Sequence, residues 1–168
     1  MNTSAPRSRR RGSQSDQRLR FAFRSFNRFM LMLWNLGLGP MLNSWPAVGG
    51  RIMVIAHMGR VSGKRRETPV NFAPDGEAVL CLSGFGRRSD WYQNLMADPR
   101  VEVRLPRARW SGVAEDISRS VERASLVRRV LIASGFAAYL AGINPRRVSD
   151  PELERLTEDY RLVRIRPV

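Results

Sequence analysis

The chain of 168 residues has one cysteine, one histidine and one lysine, and each scarcity excludes a class of chemistry. Cys81, alone in an apolar run, permits no disulfide framework. The single His57 leaves no Cys/His set for zinc, so no metal site is expected. The expected compartment is a reducing cytoplasm. No apolar stretch closely follows Ser8-Arg9-Arg10 and no small-residue cleavage site is evident, which argues against a twin-arginine export signal. Phe29 to Gly50 carries no charge and is long enough to span a bilayer. Its glycines, Asn35, Asn43, Ser44, Pro40 and Pro46 make it a poor span. No internal repeat is found.

Arginine is what the chain has in excess. The net charge is +14, and of 29 basic residues all but Lys64 are arginine, a bias read here as codon composition. Residues 1–18 are Ser/Arg/Gln-rich and too poor in apolar residues to offset their ordering entropy, so a disordered basic tail is expected there, with one domain over 19–168. An amphipathic helix is expected from Leu19 to Leu36, with Phe23, Phe26, Met30, Leu33 and Trp34 on one side and Arg20, Arg24 and Arg28 on the other. Its apolar face packs on the domain or, with the arginine tail, on an anionic membrane surface, in which case the protein is peripheral at the inner membrane face.

Beyond Gly50 the pattern turns strand-like. Ile52–Met58 is a short apolar run, and the runs Thr68–Ala73 and Ala78–Ser83 flank the hairpin signal Asp75-Gly76. Asp90 and Gln93 have capping-box spacing and open a short helix that Asp98-Pro99 closes. Val101–Leu105 and Ala108–Ile117 read as strands. Ser118 or Ser120 caps a helix to about Ser134, Gly135 interrupts it, a second segment runs from Phe136 to Ile143, and Asp150-Pro151 starts a third. Tyr160–Arg166 reads as a closing strand. Six strands with hairpin connections and few helices predict a small antiparallel barrel of the α+β class.

Two glycine-bearing basic loops join these strands. Gly59-Arg60-Val61-Ser62-Gly63-Lys64-Arg65-Arg66 and Ser83-Gly84-Phe85-Gly86-Arg87-Arg88 combine backbone N–H groups with guanidinium donors, the composition of an anion cradle. Basic loop residues are often merely solvated, and Trp91 fits a core role as well as a ligand-side one. His57 reads as a hydrogen-bonded structural histidine, and Phe136 with Tyr139 as a packing pair.

The pattern Gly59-Arg60-x-Ser62-Gly63-x-x-Arg66-x-x-Pro69, followed by Ser83-x-x-Gly86 and by Asp90-Trp91-Tyr92-x-Asn94-Leu95-x-Ala97-x-Pro99, resembles the deazaflavin-dependent nitroreductase family. The resemblance runs from about Phe26 to Ile117. It implies a six-stranded split β-barrel related to FMN-binding reductases, and use of the reduced 8-hydroxy-5-deazaflavin coenzyme, whose phosphodiester and oligoglutamate tail is anionic. In that family the positions matching Arg60, Ser62, Gly63 and Arg66 hold the tail, Ser83 to Gly86 matches the loop against the ring, and Trp91 matches a tryptophan beside it. Val61 and Gly84 stand where members often have lysine; Lys64, Arg65, Arg87 and Arg88 are expected to supply that charge. Pro69, Gly84 and Phe85 complete the expected coenzyme-binding set, with FMN the alternative cofactor. The implied activity is hydride transfer to a quinone, nitroaromatic or activated alkene, with Tyr139 as candidate proton donor and solvent as its alternative. The expected partner is a small-molecule electron acceptor, and the protein a monomer or homodimer. Nucleic acid is not an expected partner, because the aromatics are not interleaved with the basic residues as a stacking platform. A membrane-surface binding protein without turnover is the other reading.

Overall fold

Short apolar runs bounded by glycine, proline and aspartate become strands. The computed structural model describes residues 29–38 and 50–168; the tail expected over 1–18, and the expected helix before residue 29, lie outside the described residues. The strands are β1 (Ile52–Met58), β2 (Arg65–Asp75), β3 (Ala78–Ser83), β4 (Arg100–Arg104), β5 (Arg109–Asp116) and β6 (Arg161–Pro167). All ladders are antiparallel and close in the order β1-β2-β3-β6-β5-β4. The expected six-stranded antiparallel barrel is therefore the observed architecture.

Helices cover the barrel. Residues 29–38 form α1, whose last five residues, Trp34–Leu38, are π-helical. The others are α2 (Asp90–Ala97), α3 (Arg123–Ala133), α4 (Phe136–Leu140) and α5 (Asp150–Leu156). Strand alternation separates two cores. Inward residues such as Met53, Ile55, Phe72, Cys81, Val103, Val163 and Ile165 fill the barrel, with Tyr92 and Leu95 of α2 closing one end. Outward residues Ala73, Leu80 and Leu162 pack under Leu126, Val127, Val130, Ala138 and Leu153 of α3 to α5.

The barrel is split along β2. This eleven-residue strand pairs with β1 over Arg65–Asn71 and with β3 only over Phe72–Asp75. Past Cys81, β3 stays on β6, through Leu82↔Leu162 and Ser83↔Arg161, while its pairing with β2 ends. Among the described residues the β3-facing edge of β2 from Glu67 to Asn71 therefore carries no strand partner. Pro69 lies on that edge. The Phe72 N–H bonds the Arg51 carbonyl, so even-numbered residues of β2 point their backbone groups at β1 and Pro69, which has no N–H to give, points away.

Several expected boundaries move. β2 begins at Arg65 rather than Thr68, because its charged start pairs with β1 through Met58↔Arg65. The N-cap of α2 is Ser89 rather than Asp90, and the Gln93 amide donates to the Arg87 carbonyl instead of closing a capping box. α3 starts at Arg123, after Glu122, because the Ser118 hydroxyl accepts the Leu162 N–H and the Ser120 hydroxyl accepts the Glu122 N–H. α4 ends at Leu140, short of Ile143, and the first helix continues through Gly37 to Leu38.

Candidate functional site

Both glycine-bearing loops lean on α2. The β1–β2 turn is tight: the Gly59 N–H bonds the Lys64 carbonyl at 2.9 Å, the Gly63 N–H bonds the Gly59 carbonyl at 2.8 Å, and Gly63 takes a φ of +61° that glycine adopts without strain. From this turn Arg60 reaches α2. Its backbone N–H and Nη1 donate to Asn94 Oδ1 at 3.1 and 3.0 Å, and Nη1 pairs with Asp90 Oδ1 at 3.3 Å. The second loop meets the same helix one residue earlier. The Ser83 hydroxyl lies 2.6 Å from the Ser89 hydroxyl and donates to the Gly86 carbonyl at 2.8 Å. Gly86 has a φ of +57°, and a Cβ there would lie 2.1 Å from the Asp159 carbonyl oxygen, so the loop seats directly on the backbone leading into β6.

The expected site residues sort by face and by partner. Arg66 points its Nη2 at the Ser62 hydroxyl, 3.5 Å away, and the Lys64 N–H bonds the same oxygen at 3.3 Å. Arg65 lies on the opposite face of β2. There Glu67 at 3.5 Å and Glu102 at 3.1 Å neutralise it, within a ladder that Arg104 and Arg109 complete. Among the described residues no carboxylate ion-pairs with the exposed Lys64, Arg66 or Arg87. The structure thus brings Arg60, Ser62, Gly63, Lys64 and Arg66 to one turn and sets Ser83 to Arg87 and Trp91 beside its anchor, while Arg65 serves the outer wall. The unneutralised cations and the open surroundings of Gly63 fit a ligand with an anionic tail.

Trp91 is half-buried against the barrel core and makes an edge-to-face contact with Tyr92, with centroids 6.4 Å apart at 87°. Tyr92 itself points inward and donates to Asp116 Oδ2 at 2.5 Å. Burial, and then the neighbouring Asp116 carboxylate, push its phenol up to about 12. Burial opposes ionisation of Asp116 too, but hydrogen bonds from Ser118 and Tyr92 and the charge of Arg161 outweigh it and hold that carboxyl below the ordinary range. Tyr92 is therefore a structural donor.

Tyr139 sits elsewhere. The end of α3 abuts the start of β1, where the Arg51 N–H bonds the Ala133 carbonyl at 2.7 Å. Ala133, three residues before α4, thus lies about 20 Å, one strand length at roughly 3.3 Å per residue, from Met58 and the glycine turn. Phe136 and Tyr139 are 57% and 44% exposed, so the expectation that they merely pack is not what the burial shows. The unpaired edge of β2 runs between the two ends.

Sequence reasoning missed Asn94, and it read His57 as the buried, hydrogen-bonded structural histidine that the structure shows. Asn94 carries both bonds from Arg60, and the buried His57 lies between Asn94 Nδ2 at 3.3 Å and the Thr68 hydroxyl at 3.2 Å. These contacts join residues 34 and 37 positions apart, and no local spacing signals them. The only signal was Asn94's place in the family pattern.

A closed antiparallel barrel, split along one strand and fitted with a basic glycine turn at a helix that caps its end, defines the split-barrel, flavin-reductase-like class. The family model described as F420H(2)-dependent quinone reductase matches residues 37–156, and the chain belongs to that family. The resemblance noted in the sequence is to this group of deazaflavin-dependent proteins. Among solved structures, a conserved hypothetical protein from Mycobacterium tuberculosis is similar at 20% identity, with 77% of this chain and 78% of that chain covered and a TM-score of 0.51. A heme-binding protein from Mycobacterium smegmatis is similar at 19% identity, covering 71% of this chain and 47% of that one, with a TM-score of 0.49; the chain spans about half that protein's length. An F420-H2 dependent reductase is similar at 22% identity, over 68% of this chain and 92% of that one, with a TM-score of 0.46. These likenesses concern the fold. No curated protein matches. Among the described residues no helix is long and apolar enough to cross a membrane, and no group of His, Cys, Asp and Glu could hold a metal ion.

Proposed function

We propose that the protein binds the reduced deazaflavin coenzyme through the β1–β2 turn and the Ser83–Arg87 loop and passes its hydride to a quinone. The observation that carries this reading is the sorting of charge in the basic turn. Lys64 and Arg66 stand exposed and unneutralised on the Ser62 side, whereas Arg65 is neutralised on the other face. Bound coenzyme supplies the hydride; the chain's own residues supply position and electrostatics. Lys64, Arg66 and Arg87 meet the phosphodiester and glutamate charges, and the Arg60 tie to Asp90 and Asn94 keeps the turn docked on α2. Ser83, Gly84, Phe85, Gly86 and Trp91 would border the ring, and the unpaired edge of β2, with Pro69 at its middle, would leave the ring open to an acceptor. Tyr139 is the candidate to protonate the reduced acceptor. Nitroaromatics and activated alkenes are further two-electron acceptors of this chemistry.

The test is a coenzyme titration. Replacing Arg60 and Arg66 together with alanine removes one anchor and one free cation, and binding should weaken by about 2–4 kcal/mol, since charge-assisted hydrogen bonds contribute about 1.5–3 each and are not fully additive. Arg65→Ala removes the same charge from the opposite face and should leave affinity nearly unchanged. Equal losses in both variants would reduce the cradle to net charge. Tighter binding of FMN in the same titration would transfer the proposal to that cofactor.

A further inference from the structure

We infer that His57, through Asn94, is a positioning residue for the coenzyme cradle, and that only its neutral form supports the two Arg60–Asn94 bonds. The inference rests on the proposed coenzyme site and deepens it. Asn94 Oδ1 accepts from two obligate donors, the Arg60 backbone N–H at 3.1 Å and the Arg60 guanidinium at 3.0 Å. That fixes the amide: the group facing His57 Nδ1 at 3.3 Å is the Asn94 NH2, a donor. Nδ1 must then be bare, and the ring proton sits on Nε2, which donates to the Thr68 hydroxyl at 3.2 Å. The result is a directed relay in which each bond donates onward, from Arg60 through Asn94 and His57 to Thr68. His57 and Asn94 are 4% and 6% exposed, so water does not substitute readily for a lost partner.

Protonation of His57 breaks this relay by geometry. Imidazolium carries a hydrogen on both nitrogens, and Nδ1–H would face the Asn94 NH2, donor against donor. Turning the Asn94 amide over relieves that clash but presents its NH2 to the Arg60 N–H and guanidinium, so the turn loses both Asn94 bonds and keeps only the exposed Asp90 pair on α2. The charges around the ring point the same way. Arg66, from β2, is the charged side chain acting on it; Arg60 approaches from the turn with Asp90 of α2 as its partner; Val101, from β4, is apolar. Burial above all, opposed in part by a hydrogen bond to the Met58 backbone and reinforced by Arg66, holds the imidazole below its ordinary pKa. The relay is thus intact at neutral pH and lost as pH falls.

Because the chain has a single histidine, its titration can be followed without assignment ambiguity. Long-range proton–nitrogen NMR of the whole protein should show the Nε2-protonated tautomer and a midpoint below about 6.5, and the Asn94 side-chain amide signals should move with that midpoint. Deazaflavin coenzyme affinity, measured by titration from about pH 7.5 to about pH 5, should fall about tenfold or more, the equivalent of one hydrogen bond to a charged group. His57→Phe should show a nearly flat profile at weakened affinity. Asn94→Asp should pair with Arg60 directly, raise the histidine midpoint and remove the acid loss. An Nδ1-protonated tautomer, or the same acid loss in His57→Phe and wild type, would overturn the inference. Absence of coenzyme binding at every pH would defeat the proposed site instead, and the Asn94 amide signals would still decide the relay: unmoved through the histidine titration, they contradict it.

Discussion

Three left-handed glycines give a graded test of how the second loop is seated. Gly86, Gly63 and Gly76 have φ values of +57°, +61° and +63°, so alanine at any of them meets the same backbone penalty, about 1–2 kcal/mol, partly offset by about 0.4–1 kcal/mol from a less flexible unfolded chain. They differ in what a Cβ meets. At Gly63 and Gly76 nothing lies within 4 Å, whereas at Gly86 the Asp159 carbonyl oxygen lies 2.1 Å away and the Asp159 carbonyl carbon 3.2 Å away. Backbone cannot rotate aside as a side chain can. Relief requires moving either the Ser83–Ser89 loop or the lead into β6, and overpacking of this kind adds about 1–3 kcal/mol. The expected losses are therefore about 2–4 kcal/mol for Gly86→Ala and about 0.5–1.5 kcal/mol for each of the others. Urea unfolding measures them, and thermal unfolding should show Gly86→Ala melting roughly 5–12 °C lower. Gly86→Ala should also weaken coenzyme binding beyond its stability loss, because the displaced loop drags the Ser83–Ser89 contact and the first turn of α2, where Arg60 is anchored. Equal destabilisation at all three positions would refute the reasoning.

Other consequences follow from buried groups and from the far end of the barrel. The Tyr92 phenol is pushed up to about 12, so it stays neutral in the fold after it would ionise in the unfolded chain. Its contribution is present below about pH 10 and is lost as pH rises toward about 12, so Tyr92→Phe should lower stability at neutral pH and show a shallower alkaline decline in urea-unfolding series. Burial pushes the Cys81 thiol up to about 12 as well. Its reaction with a thiol reagent should therefore require opening of the barrel, and fast labelling of the native protein at neutral pH would contradict its place in the core. Tyr139→Phe should reduce turnover by as much as about 10²–10⁴-fold while leaving coenzyme affinity nearly unchanged; an unaltered rate would hand protonation to solvent.

The strands β1 and β3 were legible because each is a short apolar run whose signal is local, and Asp75-Gly76 announced the hairpin that joins β2 to β3. The start of β2 was not. Arg65 and Glu67 look like loop residues, and only the ladder with Glu102 and Arg104 from β4 makes them part of a sheet face. Ser118 and Ser120 misled the reading of α3 for a related reason: a hydroxyl before a helical stretch predicts a cap, but tertiary structure used one for β6 and the other for a turn. The two basic loops were visible as glycine-rich cation clusters. Which of their cations remain free was not, since neutralisation is decided by residues on other strands. His57 was legible as a hydrogen-bonded structural histidine, but its partner Asn94 stayed hidden because their contact crosses the barrel's end.

The most direct test of the central claim is the rate at which a quinone oxidises reduced deazaflavin coenzyme in the presence of stoichiometric protein, followed by absorbance as a single turnover. Faster oxidation of the bound coenzyme than of the free one, with the advantage retained in Arg65→Ala and diminished in the Arg60/Arg66 double alanine variant, is the predicted result. Oxidation of fully bound coenzyme no faster than in free solution, with every quinone tried, would contradict it and leave a coenzyme-binding protein without turnover.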